Sequence, residues 1–65
     1  MTDSMFPDAP ISLEAQIDAV QREIWFREHV YPRRVAAGKM TTMLADRQLA
    51  LMRAVLATLE SLRRA

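Results

Sequence analysis

The fold class that the sequence predicts is an all-α antiparallel helical hairpin assembling into a homo-oligomeric helical bundle. Three observations predict it. Two long segments repeat their apolar residues with helical periodicity, and the chain's single glycine lies between them. At 65 residues, the chain is also too short for one hairpin to bury every apolar face it carries.

Residues 1–11 read as a flexible N-terminal arm. Pro7, Pro10, Asp3 and Asp8 discourage regular structure there, and after Met1 only Met5 and Phe6 are large apolar side chains before Ile11. The rest of the chain, 12–65, is the hairpin. Its first helix is expected over about 12–37, with Ser12 as N-cap and Glu14 placing negative charge where the helix dipole favours it. Leu13, Ile17, Val20, Ile24, Tyr31 and Val35 then form one stripe, within about 40° of a line along the helix. Pro32 interrupts the backbone ladder without interrupting the stripe, so one helix kinked at Pro32 is expected rather than two.

Gly38 ends that helix as the natural left-handed residue, with Arg33 and Arg34 complementing the dipole in the last turn. Residues 38–41 make the turn, and Thr41 (alternatively Thr42) caps a second helix over about 42–64, free of Gly and Pro. Leu44, Met52, Val55, Leu56, Leu59 and Leu62 are its expected apolar face. Centring the turn on 38–39 pairs Ile17 with Leu62, Val20 with Leu59, Ile24 with Val55, and Val35 with Leu44. The same register sets Glu14 and Asp18 near Arg63 and Arg64, and Glu23 near Arg53.

Each helix also carries a second, smaller-residue face: Ala15, Ala19, Phe26 and Val30 on the first, Met43, Ala50, Ala54 and Ala57 on the second. Two antiparallel helices bury one face each, so these eight residues are the expected oligomer interface, most simply in a dimeric four-helix bundle.

Composition excludes several function classes. With no Cys there is no disulfide scaffold and no thiolate metal site, and a single His builds no multi-His centre, so neither a metal nor a cofactor is expected. No apolar run approaches the ~18 residues of a membrane span. The first ten residues, MTDSMFPDAP, carry acids where a signal peptide carries Lys or Arg, which points to the cytoplasm.

The net charge of +1 hides an asymmetry. Residues 1–31 hold six acids and two bases, net −4, whereas 32–65 hold two acids and seven bases, net +5. His29, Tyr31, Arg33, Arg34 and Lys39, joined by Arg47 from the second helix, gather cations and an aromatic at the turn end. That pattern suits an anion, such as a nucleotide or an acidic protein surface, and equally suits a solvated helix end complementing its dipole. Gly38-Lys39-Met40-Thr41 lacks the upstream glycine and preceding strand of a phosphate-binding loop. His29 has no Ser or Cys nucleophile nearby, and Glu23 and Glu28 are poorly spaced for paired carboxylates, so no enzyme is expected. Trp25 and Phe26 are adjacent and cannot both face one core. Phe26 suits self-association, while Trp25 is either a partner anchor or a lid on the bundle. A near-antiparallel pair with little net charge argues against DNA binding.

The run Glu23-Ile24-Trp25-Phe26-Arg27-Glu28-His29-Val30-Tyr31-Pro32-Arg33-Arg34-Val35, followed by Gly38-Lys39-Met40-Thr41 and Ala54-Val55-Leu56-Ala57-Thr58-Leu59, resembles small helical-hairpin proteins of temperate phages and prophages of proteobacteria. The similarity covers roughly residues 12–62 and rests on the Val-Tyr-Pro-Arg run and the Gly-Lys-Met-Thr turn. It brings no catalytic residues. It implies a phage accessory protein of the bacterial cytoplasm that binds and inhibits a host factor, antiviral-defence components included. Sequestration of an anionic nucleotide is the alternative expectation, and a DNA-binding regulator the second alternative.

Overall fold

The computed structural model describes residues 10–65, so all of the expected arm except Pro10 and Ile11 lies outside the described residues. Two α-helices, α1 (Leu13–Ala36) and α2 (Thr42–Arg64), pack as a hairpin, and no strand occurs among the described residues.

Local chemistry sets each boundary. Ser12 sits in extended backbone and its hydroxyl accepts from the Ala15 amide at 3.0 Å, which satisfies one of the unpartnered first-turn donors. The Gln16 side-chain amide donates to the Ile11 carbonyl at 3.0 Å and ties down the entering strand of chain. α1 runs through Pro32 as one helix. Proline has no amide hydrogen, so the Glu28 carbonyl loses its usual donor there.

Gly38, at φ 72°, then reverses the chain. Its amide donates to the Val35 carbonyl (3.0 Å) and the Lys39 amide to the Arg34 carbonyl (2.9 Å). This pair of bonds is a Schellman closure, which requires a left-handed residue at this position. Thr41 caps α2 as Ser12 caps α1, its hydroxyl accepting from the Leu44 amide at 3.1 Å.

The first helix turns to its neighbour the face that its periodicity predicts. Ile17 and Ile24 are buried, and Leu13, Val20, Tyr31 and Val35 are half-buried. The second helix keeps Met52, Leu56 and Leu59 of its expected face on the seam but is turned by about 40° from expectation. Ala45 is its buried residue, with Gln48, Leu49, Met52, Leu56 and Leu59 half-buried along the same seam. Leu44, Val55 and Leu62, expected on the buried face, are instead largely exposed. Beside a short turn a small side chain is covered by the neighbouring helix more fully than a long one, and Ala45 is 6% exposed against 47% for Leu44.

Two ion pairs cross between the helices and fix the register: Arg63 to Glu14 at 3.4 Å and Arg53 to Glu28 at 2.6 Å. Glu23 therefore does not meet Arg53; it pairs with Arg27 one turn along α1 at 2.7 Å. Asp18 likewise pairs with Arg22 rather than with Arg63 or Arg64. These pairs are largely exposed and worth about 0–1 kcal/mol each, enough to select a register but not to hold the fold.

Candidate functional site

Only Ile17, Ile24 and Ala45 are buried among the described residues, while Trp25, Phe26, Met43, Leu44, Leu51, Val55 and Leu62 stand exposed on the two helices. Such an inversion is uncommon on a finished surface. It directs attention to what the exposed groups can contact.

Trp25 is 59% exposed and lies on the α1 flank that also carries Glu28. Four residues on, His29 stacks against it with ring centroids 4.1 Å apart. The His29 Nδ1 lies 2.7 Å from the Trp25 carbonyl oxygen, so Nδ1 donates to it. That bond anchors the imidazole, which in turn supports one face of the indole. Phe26, 54% exposed, flanks an open hollow with Ala19, Arg22, Glu23 and Trp25. Together these side chains give an exposed aromatic edge with an imidazole beside it.

The turn end is less concerted than the sequence suggests. Tyr31 faces α2, half-buried, with the Arg27 guanidinium 6.0 Å from its ring centre. It lines an open groove between the helices with Pro32, Val35, Thr42 and Leu49, and the charged residues of that groove are Glu28 and Asp46. Arg33, Arg34, Lys39 and Arg47 are all exposed and line none of it. Arg33 and Arg34 diverge by about 100° around the helix. Yet the four cations share one property. None is in an ion pair among the described residues, whereas Arg22, Arg27, Arg53 and Arg63 all are. The first turn of α2 also carries no acid.

The eight residues expected at the oligomer interface fall into two strips. Ala15, Ala19 and Phe26 are exposed and Val30 half-buried on the side of α1 away from α2; Met43, Ala50, Ala54 and Ala57 are exposed on the side of α2 away from α1. The strips point in opposite directions, so one second copy cannot cover both. Sequence reasoning missed the exposed row Leu44, Leu51, Val55 and Leu62. The available signal was the 7, 4, 7 spacing of these residues, which places them on one edge of α2.

Among the described residues, no group of three His, Asp or Glu side chains is placed to hold a metal ion, and no helix is long and apolar enough to cross a membrane. Comparison with known proteins finds no matching family model, no matching curated protein and no matching solved structure.

Proposed function

We propose that this chain is a non-enzymatic interaction protein, a homo-oligomeric helical bundle that binds and inhibits a host macromolecule through the aromatic edge of α1. In the phage setting implied by the resemblance of its Glu23–Val35 run, the partner is a bacterial cytoplasmic protein, components of antiviral defence included. The observation that carries the reading is Trp25: a large exposed aromatic whose ring is stacked on the imidazole of His29, itself anchored to the Trp25 carbonyl. Large aromatic side chains that are ordered before binding lose little entropy on association and dominate interface energetics. A bend of α1 at Pro32, where the Glu28 carbonyl lacks its donor, belongs to the same proposal, since it sets the angle between that edge and the turn.

The test compares immobilised wild-type protein with a Trp25→Ala variant in capture from a proteobacterial host lysate. A host protein retained by the wild type and lost by Trp25→Ala supports the reading. Equal retention by both, or no specific partner, contradicts it.

The four unpaired cations Arg33, Arg34, Lys39 and Arg47 favour a second reading, sequestration of an anionic nucleotide by basic side chains brought together in the oligomer. Thermal melts with cyclic and linear nucleotides test it. A rise with one nucleotide, abolished by Arg33→Ala/Arg34→Ala, supports sequestration; indifference to all of them contradicts it.

A further inference from the structure

The flank of the hairpin opposite the Glu28–Arg53 pair carries two parallel rows. On α2 the row is Leu44, Gln48, Leu51, Val55, Thr58 and Leu62, at spacings 4, 3, 4, 3, 4. Its four large apolar members are 43–57% exposed. On α1 the row is Gln16, Val20, Glu23, Arg27, Val30 and Arg34, at the same spacings. Such spacing is the seam of an antiparallel or parallel coiled-coil contact. In helical projection the two rows lie on the same side of the hairpin, because antiparallel neighbours present corresponding phases to a common flank.

We propose that this flank docks against the same flank of a second copy about a twofold axis perpendicular to the helices, giving an antiparallel four-helix bundle. This rests on the oligomeric reading above, but assigns it a face that shares only Val30, at its edge, with the alanine strips. The occupant is identified by self-complementarity. About a twofold centred at residue 53, Leu44 meets the partner's Leu62, Leu51 meets the partner's Val55, and Gln48 meets the partner's Thr58. Centred at residue 25, Val20 meets the partner's Val30, Glu23 meets the partner's Arg27, and Gln16 meets the partner's Arg34. Every pair is apolar with apolar, acid with base, or donor with acceptor.

The side chains have the capacity for these contacts. Arg27 uses Nε on Glu23 Oε1, which leaves its two Nη groups and Glu23 Oε2 for the partner. Gln16 uses its amide nitrogen on Ile11, which leaves its Oε1 as acceptor for a guanidinium. Arg34 has no ion-pair partner among the described residues.

A separate geometric fact joins the two rows. One axis serves both only if residues 25 and 53 lie level in the hairpin. The cross-helix ion pairs join Glu14 to Arg63 and Glu28 to Arg53, sums of 77 and 81, and long side chains bridge up to a helical turn. The two centres sum to 78, so residue 25 lies within one helical turn of the level of residue 53. That register is compatible with one axis serving both rows.

The test uses charge-reversed variants mixed in solution. Glu23→Arg sets base against base across the axis, and Arg27→Glu sets acid against acid. Each alone is expected to shift sedimentation toward the monomer, and an equimolar mixture to recover the dimer as a heterodimer, counted by native mass spectrometry. A repaired contact within one helix cannot produce that recovery. Leu51→Glu is expected to weaken the dimer by about 100-fold or more, since two symmetry-related side chains leave the seam. Ala54→Glu and Trp25→Ala are expected to leave the dimer intact, with Trp25→Ala separating this proposal from partner binding. A monomeric wild type, a dimer broken by Ala54→Glu but not by Leu51→Glu, or a mixture that stays monomeric overturns the proposal.

Discussion

Replacing Gly38 by alanine isolates the energetic contribution of the reversal between the helices. At φ 72° the residue is left-handed, and a Cβ built there meets nothing within 4 Å. Steric collision with the rest of the protein is therefore absent, and the whole cost is local backbone strain, about 1–2 kcal/mol for an L-residue. In a domain of this size each kcal/mol moves the melting temperature by about 4–8 °C, so Gly38→Ala is expected to lower it by about 4–16 °C. Gly38→Asn is expected to fall between the two, because asparagine tolerates this conformation better than alanine. The assay is thermal unfolding followed by far-UV circular dichroism at one fixed protein concentration, since the proposed association would make the midpoint concentration-dependent. A Gly38→Ala midpoint equal to or above the wild type refutes the assignment of a strained closure at this position.

Three further outcomes follow from the packing. Ile17, 2% exposed, fills the seam most completely, so Ile17→Ala is expected to cost about 2–5 kcal/mol, read as lost helicity or a large fall in the denaturant midpoint. A fall smaller than that of Gly38→Ala counts against Ile17 as the centre of the core. Arg53→Ala removes the exposed pair with Glu28 and is expected to cost no more than about 1 kcal/mol; a loss rivalling Ile17→Ala contradicts a register-selecting role. Pro32→Ala restores an amide donor inside α1, relieving up to about 3 kcal/mol of helix penalty against about 0.4–1 kcal/mol lost through a freer unfolded chain. A higher melting temperature is expected, and a lower one contradicts the view that Pro32 strains the helix.

Most of the fold is legible in the residues, because capping and turn chemistry act locally. Ser12, Thr41 and Gly38 each do in three dimensions what their types and positions require, and the α1 stripe from Leu13 to Val35 faces α2 throughout. The phase of α2 is not legible in the same way. Its apolar residues fill two adjacent rows with the same repeat, Ala45-Leu49-Met52-Leu56-Leu59 and Leu44-Leu51-Val55-Leu62. Size favours Leu44 over Ala45 as a core residue, yet beside the turn Ala45 is the buried one and Leu44 stands exposed. Placing Glu23 opposite Arg53 fails for a related reason: an intrahelical partner four residues away, Arg27, competes with a distant one. Around the candidate sites, the exposure of Trp25 follows from its phase relative to Ile24. The stack that supports it needs the Trp25–His29 spacing to be read as a contact rather than as two separate residues.

The central claim is that the hairpin completes its fold with a second copy of itself. Solution mass by light scattering, across a dilution series with helicity followed in parallel, tests it most directly. A helical particle of twice the 7.4 kDa chain mass that dissociates and loses helicity together on dilution is the predicted result. A fully helical particle of 7.4 kDa at every concentration contradicts the claim.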